Sequence, residues 1–220
     1  MGKTAVCQGV LFDLDGTLID TRDFYLIPFR RVLREQLGVE LTSALIAAHF
    51  GKTTAAILAE FAPPERIPEL QAHLMAYQEE EWDRVQPFPG ITDLLTTLKE
   101  AGLRLGVVTS MTRASCERVR AHLTFTPLID AWVTASDTPR PKPDPEPIHL
   151  GVARLALTAA QVVVIGDTGF DMGAAQAAGL RVGAALWGTM AAVADVLAYR
   201  PNWAFYDPAE VLSALLPDTA

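Results

Sequence analysis

The 220-residue sequence has little of several things, and each shortage removes a class of protein. It has two cysteines, Cys7 and Cys116, too few for a disulfide framework, and both read as packing residues of a chain expected in a reducing cytoplasm. No stretch approaches the ~20 consecutive apolar residues of a membrane span. The opening "MGKTAVCQGV" has no apolar core followed by a small-residue cleavage site, so no signal peptide is expected. Val6 stands where a myristoylation motif wants Ser or Thr. Basic runs are absent: 18 Lys and Arg against 26 Asp and Glu leave a net charge of −8. That balance argues against nucleic acid or an anionic membrane as partner. It leaves room for an anionic substrate if a bound cation reverses the field locally. There is no internal repeat. Half the residues are hydrophobic and a fifth charged, which suits a packed soluble core.

What is present alternates. "GVLFD" (9–13), "LRLGVVT" (103–109), "AWVTA" (131–135), "QVVVIGD" (161–167) and "LRVGAAL" (180–186) read as strands. Between and after them, "ITDLLTTLKEAG", "TRASCERVRAHL", "EPIHLGVARLA", "FDMGAAQAAG" and "PAEVLSALL" read as helices. Strands that are apolar throughout and alternate with helices predict a Rossmann-like parallel sheet covered on both faces. From about Asp20 to Trp82 the pattern is helical only. "FYLIPFRRVLREQLG", "SALIAAHFG", "TTAAILAEFA" and "IPELQAHLMAYQEEEW" carry apolar residues at helical spacing, with Gly38 and Gly51 placed as C-terminal caps. The expected organisation is an α/β core of residues 1–19 and 88–220, with a small all-helical domain of residues 20–87 inserted after the first strand.

Ligands of a parallel sheet sit beyond the carboxyl ends of its strands. Those ends carry Asp13 and Asp15, then Thr109 and Ser110, then Lys142 in the loop before a helix, then Asp167 with Asp171 four residues on. Two carboxylates ~4 Å apart repel by roughly 4 kcal/mol at an effective dielectric near 20. Such a group needs protons or a divalent cation. Hard oxygen donors without His or Cys point to Mg²⁺. Each motif taken singly has an ordinary reading. "DGT" is a common turn, Thr168 with Asp171 fits a helix capping box, and Lys142 could be a solvated lysine. Their order at successive ends of one sheet is what those readings do not explain. The tract "TPRPKPDPEP" places proline at every second position, not every third as a PxxP ligand requires, and reads as a stiff loop holding Lys142.

"DLDGT", "VVTS", "PKPDPEP" and "GDTGFD", in that order, resemble the four motifs of the haloacid dehalogenase superfamily. "PFPGITDLLTTLKEAGLRLGVVTS" is similar to its phosphoglycolate phosphatase-like branch, and the helical insert to that branch's mobile cap. The resemblance implies that Asp13 is the nucleophile, forming an aspartyl-phosphate, and that Asp15 is general acid and then general base. It implies Mg²⁺ held by the Asp13 carboxylate, the Asp15 carbonyl and Asp167, with Asp171 supporting the metal or Lys142. Thr109, Ser110 and Lys142 would bind phosphate. Gly51, Lys52 and Thr53 of "HFGKTT", and Arg22, would set specificity from the cap. Asp15 separates the chain from the dehalogenases and the phosphonate-cleaving members, which lack it. Tyr25 stands about where the sugar-phosphate mutases carry histidine. The implied activity is hydrolysis of a small phosphorylated metabolite by a monomer or homodimer, with phosphoglycolate first and inorganic pyrophosphate as rival. "KPDPEP" and the loop at Trp187 resemble members of the pyrophosphatase group. A non-catalytic binding module and phosphotransfer to another acceptor are the remaining alternatives.

Overall fold

The computed structural model describes residues 5–42, 54–188 and 191–216. Packing divides the chain into two units, Met1–Ile19 with Pro87–Ala220, and Asp20–Gln86.

The larger unit is built on a six-stranded sheet. Its strands are β1 (Gly9–Phe12), β4 (Arg104–Val108), β5 (Ala131–Val133), β6 (Val162–Gly166), β7 (Arg181–Ala185) and β8 (Trp203–Phe205), in spatial order β5-β4-β1-β6-β7-β8. Every pairing in it is parallel. β1 and β6 are buried along their whole length, which is why neither alternates in sequence: helices cover both faces, so no position meets water. The helices are α4 (Ile91–Glu100), α5 (Arg113–His122), α6 (Glu146–Arg154), α7 (Gly169–Ala177), α8 (Val193–Leu197) and α9 (Pro208–Leu215). α4 buries Ile91, Leu94, Leu95 and Leu98 as one apolar stripe. Among the elements that the sequence pattern does not show are the five-residue α8 and the three-residue strand β8. Both are too short for a period to show.

β1 lies at the centre, and its register sets the functional level. Phe12 is level with Val107 of β4 and with Ile165 of β6. The residues that follow, Asp13, Val108–Thr109 and Gly166–Asp167, therefore emerge side by side at one edge. A separate two-stranded sheet pairs β2 (Ile19–Asp20) with β3 (Gln86–Pro87).

The smaller unit contains, among the described residues, α1 (Arg22–Leu37), α2 (Thr54–Leu58) and α3 (Ile67–Glu79). Its core is Val32, Leu33, Leu58, Ala62, Leu70 and Leu74. α1 stops where expected. Gly38 has φ +67°, its N–H donates to the Arg34 carbonyl, and the Val39 N–H donates to the Leu33 carbonyl, closing a left-handed C-terminal cap. The expected helix "SALIAAHFG" and the cap at Gly51 lie outside the described residues. None of the described helices is long and apolar enough to cross a membrane.

Candidate active site

Asp13 directly follows β1, and its N–H donates to the Ile165 carbonyl at 2.8 Å, so the ladder continues until the side chain is delivered. The chain then turns tightly. The N–H groups of Leu18 and Ile19 both donate to the Leu14 carbonyl, at 2.9 and 3.0 Å, and Gly16 N–H donates to the Ile19 carbonyl. Gly16 has φ +77°, and a Cβ on it would stand 2.3 Å from Asp167 Oδ2. Glycine is needed there twice over, for the left-handed backbone and for clearance from a carboxylate. Thr17, completely buried, donates its hydroxyl to Asp167 Oδ1 at 3.2 Å.

Lys142 is the hub. Its ammonium donates to Asp13 Oδ1 at 2.7 Å, Asp171 Oδ1 at 2.6 Å and the Val108 carbonyl at 3.0 Å. Three N–H groups meet three acceptors on a side chain 5% exposed. The two carboxylate oxygens of Asp171 have different partners. Its Oδ2 accepts from the Thr168 N–H at 3.1 Å and from the Thr168 hydroxyl at 2.6 Å, closing a capping box at the start of α7, while Oδ1 faces Lys142. Gly166 makes this possible, since a Cβ there would lie 2.5 Å from the Asp171 side chain.

Carboxylate oxygens of Asp13, Asp167 and Asp171 lie within 4.8 Å of one another, and all three residues are buried. Burial pushes the Asp13 carboxyl up to about 7. Lys142 opposes the shift, and the charges of Asp171 and Asp15 add to it. Burial, then the charges of Asp13 and Asp171, raises Asp167 well above the usual carboxylate range. Burial pulls the Lys142 ammonium down, but Asp13 and Asp171 more than offset it and hold it above the ordinary lysine value. The cluster is thus short of positive charge. Its donors are hard oxygens, with no His or Cys among them, a set that fits an Mg²⁺-type ion.

Asp15 is half-buried beyond this trio, close enough for its charge to act on Asp13. Thr109 is buried, and its hydroxyl accepts from the Met111 N–H at 3.1 Å. Ser110 is exposed in the bend that precedes α5. Arg22 is exposed at the first position of α1, its N–H donating to Asp20 Oδ1. Gly51, Lys52 and Thr53 lie outside the described residues. The thiols take no part here: burial raises Cys116 to about 11 and lifts Cys7 also, so neither is a thiolate at neutral pH.

The sequence reading missed several supports. Thr17 stands in "DGT", which by itself is an ordinary turn, yet its hydroxyl steadies Asp167. Trp187 donates its indole N–H to the Thr17 carbonyl at 2.9 Å. Gly188 packs so closely on Phe88 that a Cβ would fall 2.2 Å from the ring. The Val108 carbonyl, like any backbone acceptor, leaves no mark in a sequence.

The model of the family described as haloacid dehalogenase-like hydrolase matches residues 10–185. The chain is 31% identical over 202 residues to the pyrophosphatase PpaX of Bacillus velezensis, covering 88% of this chain and 89% of that one. It is 29% identical over 181 residues to a phosphoglycolate phosphatase of Cereibacter sphaeroides, covering 79% and 82%. A haloacid dehalogenase-like hydrolase from Streptococcus pneumoniae superposes with a TM-score of 0.81 at 26% identity, covering 95% of this chain and 98% of that one.

Proposed function

We propose, from the premise that this chain belongs to the haloacid dehalogenase-like hydrolase family and is a phosphatase, that it hydrolyses a small phosphorylated anion through a phosphoryl-enzyme formed on Asp13. The observation that carries this reading is the buried ammonium of Lys142 set between Asp13 and Asp171 beside Asp167.

An Asp13 oxygen attacks phosphorus as the bond from phosphorus to the leaving oxygen breaks, and Asp15 gives that oxygen its proton. Asp15 then takes a proton from water, whose oxygen attacks phosphorus. The Asp13–phosphorus bond breaks, and inorganic phosphate leaves with the Asp13 carboxylate restored. Asp13, Asp167 and the Asp15 carbonyl would hold Mg²⁺, with Asp171 in support through Lys142. When bound, the ion would supply charge to the phosphoryl oxygens. Thr109, the Ser110 N–H and Lys142 would hold those oxygens, and the chain's task is largely positioning and charge stabilisation. Gly51, Lys52, Thr53 and Arg22 remain the proposed specificity residues, and the cytoplasm the proposed compartment.

Phosphoglycolate stood first on sequence grounds. The name and wider coverage of the Bacillus velezensis relative move pyrophosphate ahead of it, and the Cereibacter sphaeroides relative keeps phosphoglycolate second. Turnover of pyrophosphate, phosphoglycolate and sugar phosphates, each with Mg²⁺ and with excess chelator, tests the reading. The expected result is Mg²⁺-dependent release of phosphate with pyrophosphate preferred. A preference for sugar phosphates overturns the substrate order, and unchanged activity in chelator overturns the metal.

A further inference from the structure

Lys142 sits in a segment poorly equipped to hold it. Five of the ten residues from Thr138 to Pro147 are proline, and proline has no backbone N–H to donate. The segment forms no strand and no helix until Glu146 opens α6. The backbone hydrogen bond inside the loop runs from the Asp144 N–H to the Pro141 carbonyl at 2.9 Å. What closes the loop is a side chain. Arg140 donates from Nε to Glu146 Oε2 at 2.9 Å, and its Nη1 lies 3.4 Å from Asp144 Oδ2. Asp144 Oδ1 in turn accepts from the Glu146 N–H at 2.9 Å, and the Thr138 hydroxyl donates to the Arg140 carbonyl at 3.3 Å. One guanidinium therefore ties the residue two before Lys142 to residues two and four after it. On the inner side Pro143 packs against α7, where a Cβ on Gly173 would lie 3.1 Å from its ring.

We infer that Arg140 is a positioning residue: its clasp on Asp144 and Glu146 pinches the proline-rich loop so that Lys142 is held against Asp13, Asp171 and the Val108 carbonyl. Arg140 itself is 67% exposed on its side chain and lies outside the Lys142 hydrogen-bond set, so it acts through the loop. Exposed ion pairs contribute little to stability, which separates its purpose from folding. A guanidinium can engage two carboxylates from fixed directions, whereas an ammonium is a point charge. Arg140→Lys is therefore expected to fall well short of wild type.

The inference rests on the assignment of Lys142 to the reacting site, and the test keeps the two apart. Steady-state turnover of pyrophosphate with Mg²⁺ is measured for wild type, Arg140→Ala, Arg140→Lys, Lys142→Ala and the Arg140→Ala/Lys142→Ala double variant, together with thermal unfolding. Arg140→Ala is expected to lower kcat on the order of tenfold or more, the cost of a small displacement of a positioned group, with KM within about twofold. Its Tm should stay within ~2 °C, as loss of an exposed pair implies. On the Lys142→Ala background the same change should cost less than about twofold, because residues acting through one another are not additive. If that background is too slow to assay, calorimetric titration of inorganic phosphate with Mg²⁺ reads the same cycle. Equal losses in both backgrounds, or a full return of kcat in Arg140→Lys, overturn the clasp. Undiminished turnover in Lys142→Ala overturns the site assignment instead.

Discussion

Two charge clusters stand near the carboxyl ends of strands of one sheet, and they are built in opposite senses. At β1 and β6 one cation, Lys142, serves two carboxylates with a third alongside, all buried. Just beyond β5 one carboxylate serves two cations. Asp137 Oδ1 accepts from Arg113 Nη2 at 2.8 Å and Arg154 Nη2 at 2.9 Å, and Oδ2 accepts from the Thr134 N–H at 2.8 Å and hydroxyl at 2.6 Å. The Asp137 carboxylate is 7% exposed, but Arg113 is 62% exposed and Arg154 37%. Any positive surplus there is left in water, which screens it at little cost. The surplus negative charge of the first cluster has no such outlet, and the raised carboxyls of Asp13 and Asp167 express it. A closed, screened cluster serves the fold. A buried and unbalanced one costs stability, as expected of the proposed site for a cation and an anion.

Substitutions can break this contrast. The largest effect should come from Asp13→Asn, which removes the charge of the proposed attacking oxygen. Phosphate release should fall at least about 10³-fold while circular dichroism stays native, and retained turnover would reassign the nucleophile. Asp137→Asn should do the reverse, costing about 2–3 kcal/mol of stability through weakened charged hydrogen bonds and leaving kcat within about threefold. A kcat collapse with unchanged denaturant midpoint would place Asp137 in the chemistry.

The same cluster predicts an acid limb. The hydrogen bond from Arg154 and those from Thr134 hold the Asp137 carboxyl below the usual carboxylate range. Its folded-state pKa is thus lower than the unfolded value of 3.8. Its contribution is complete above that value and is lost as pH falls through 3.8 toward the folded pKa. Unfolding midpoints measured from pH 6 down to pH 2 should drop for wild type and flatten for Asp137→Asn. Parallel curves would count against the clamp.

The smallest effect has the opposite sign. In metal-free protein, Asp13→Asn relieves repulsion and should raise stability by about 1 kcal/mol, as substitutions at strained functional sites commonly do. Added Mg²⁺ should stabilise wild type more than the variant by mass action. Destabilisation of the metal-free variant would mean that the Lys142 contact outweighs the repulsion.

Much of this architecture was legible because burial on both faces leaves a one-dimensional trace. "VLF", "LGVV" and "VVVIG" read as buried strands from composition alone, and Asp13, Thr109 and Asp167 could be placed at strand ends by counting. Asp171 was harder to read. Its spacing from Thr168 signals a cap, and nothing local says that its second oxygen holds a lysine 29 residues away. The short elements β8 and α8 were not legible, since three and five residues carry no period. Nor was Arg140: an arginine among prolines looks like a solvated charge until Asp144 and Glu146 are seen to fold back on it.

The order of the longer elements, the parallel sheet and the identity of the acidic and basic groups were therefore determined by the sequence alone, because hydrophobic patterning and strand-end chemistry are local properties. Only the tertiary structure decided which charges meet. Lys142 is 129 residues from Asp13, and Thr17 is 150 from Asp167. Their partnership depends on the register of β1 between β4 and β6, and on backbone acceptors such as the Val108 carbonyl. Register and backbone direction arise from long-range packing, which no single stretch of chain encodes.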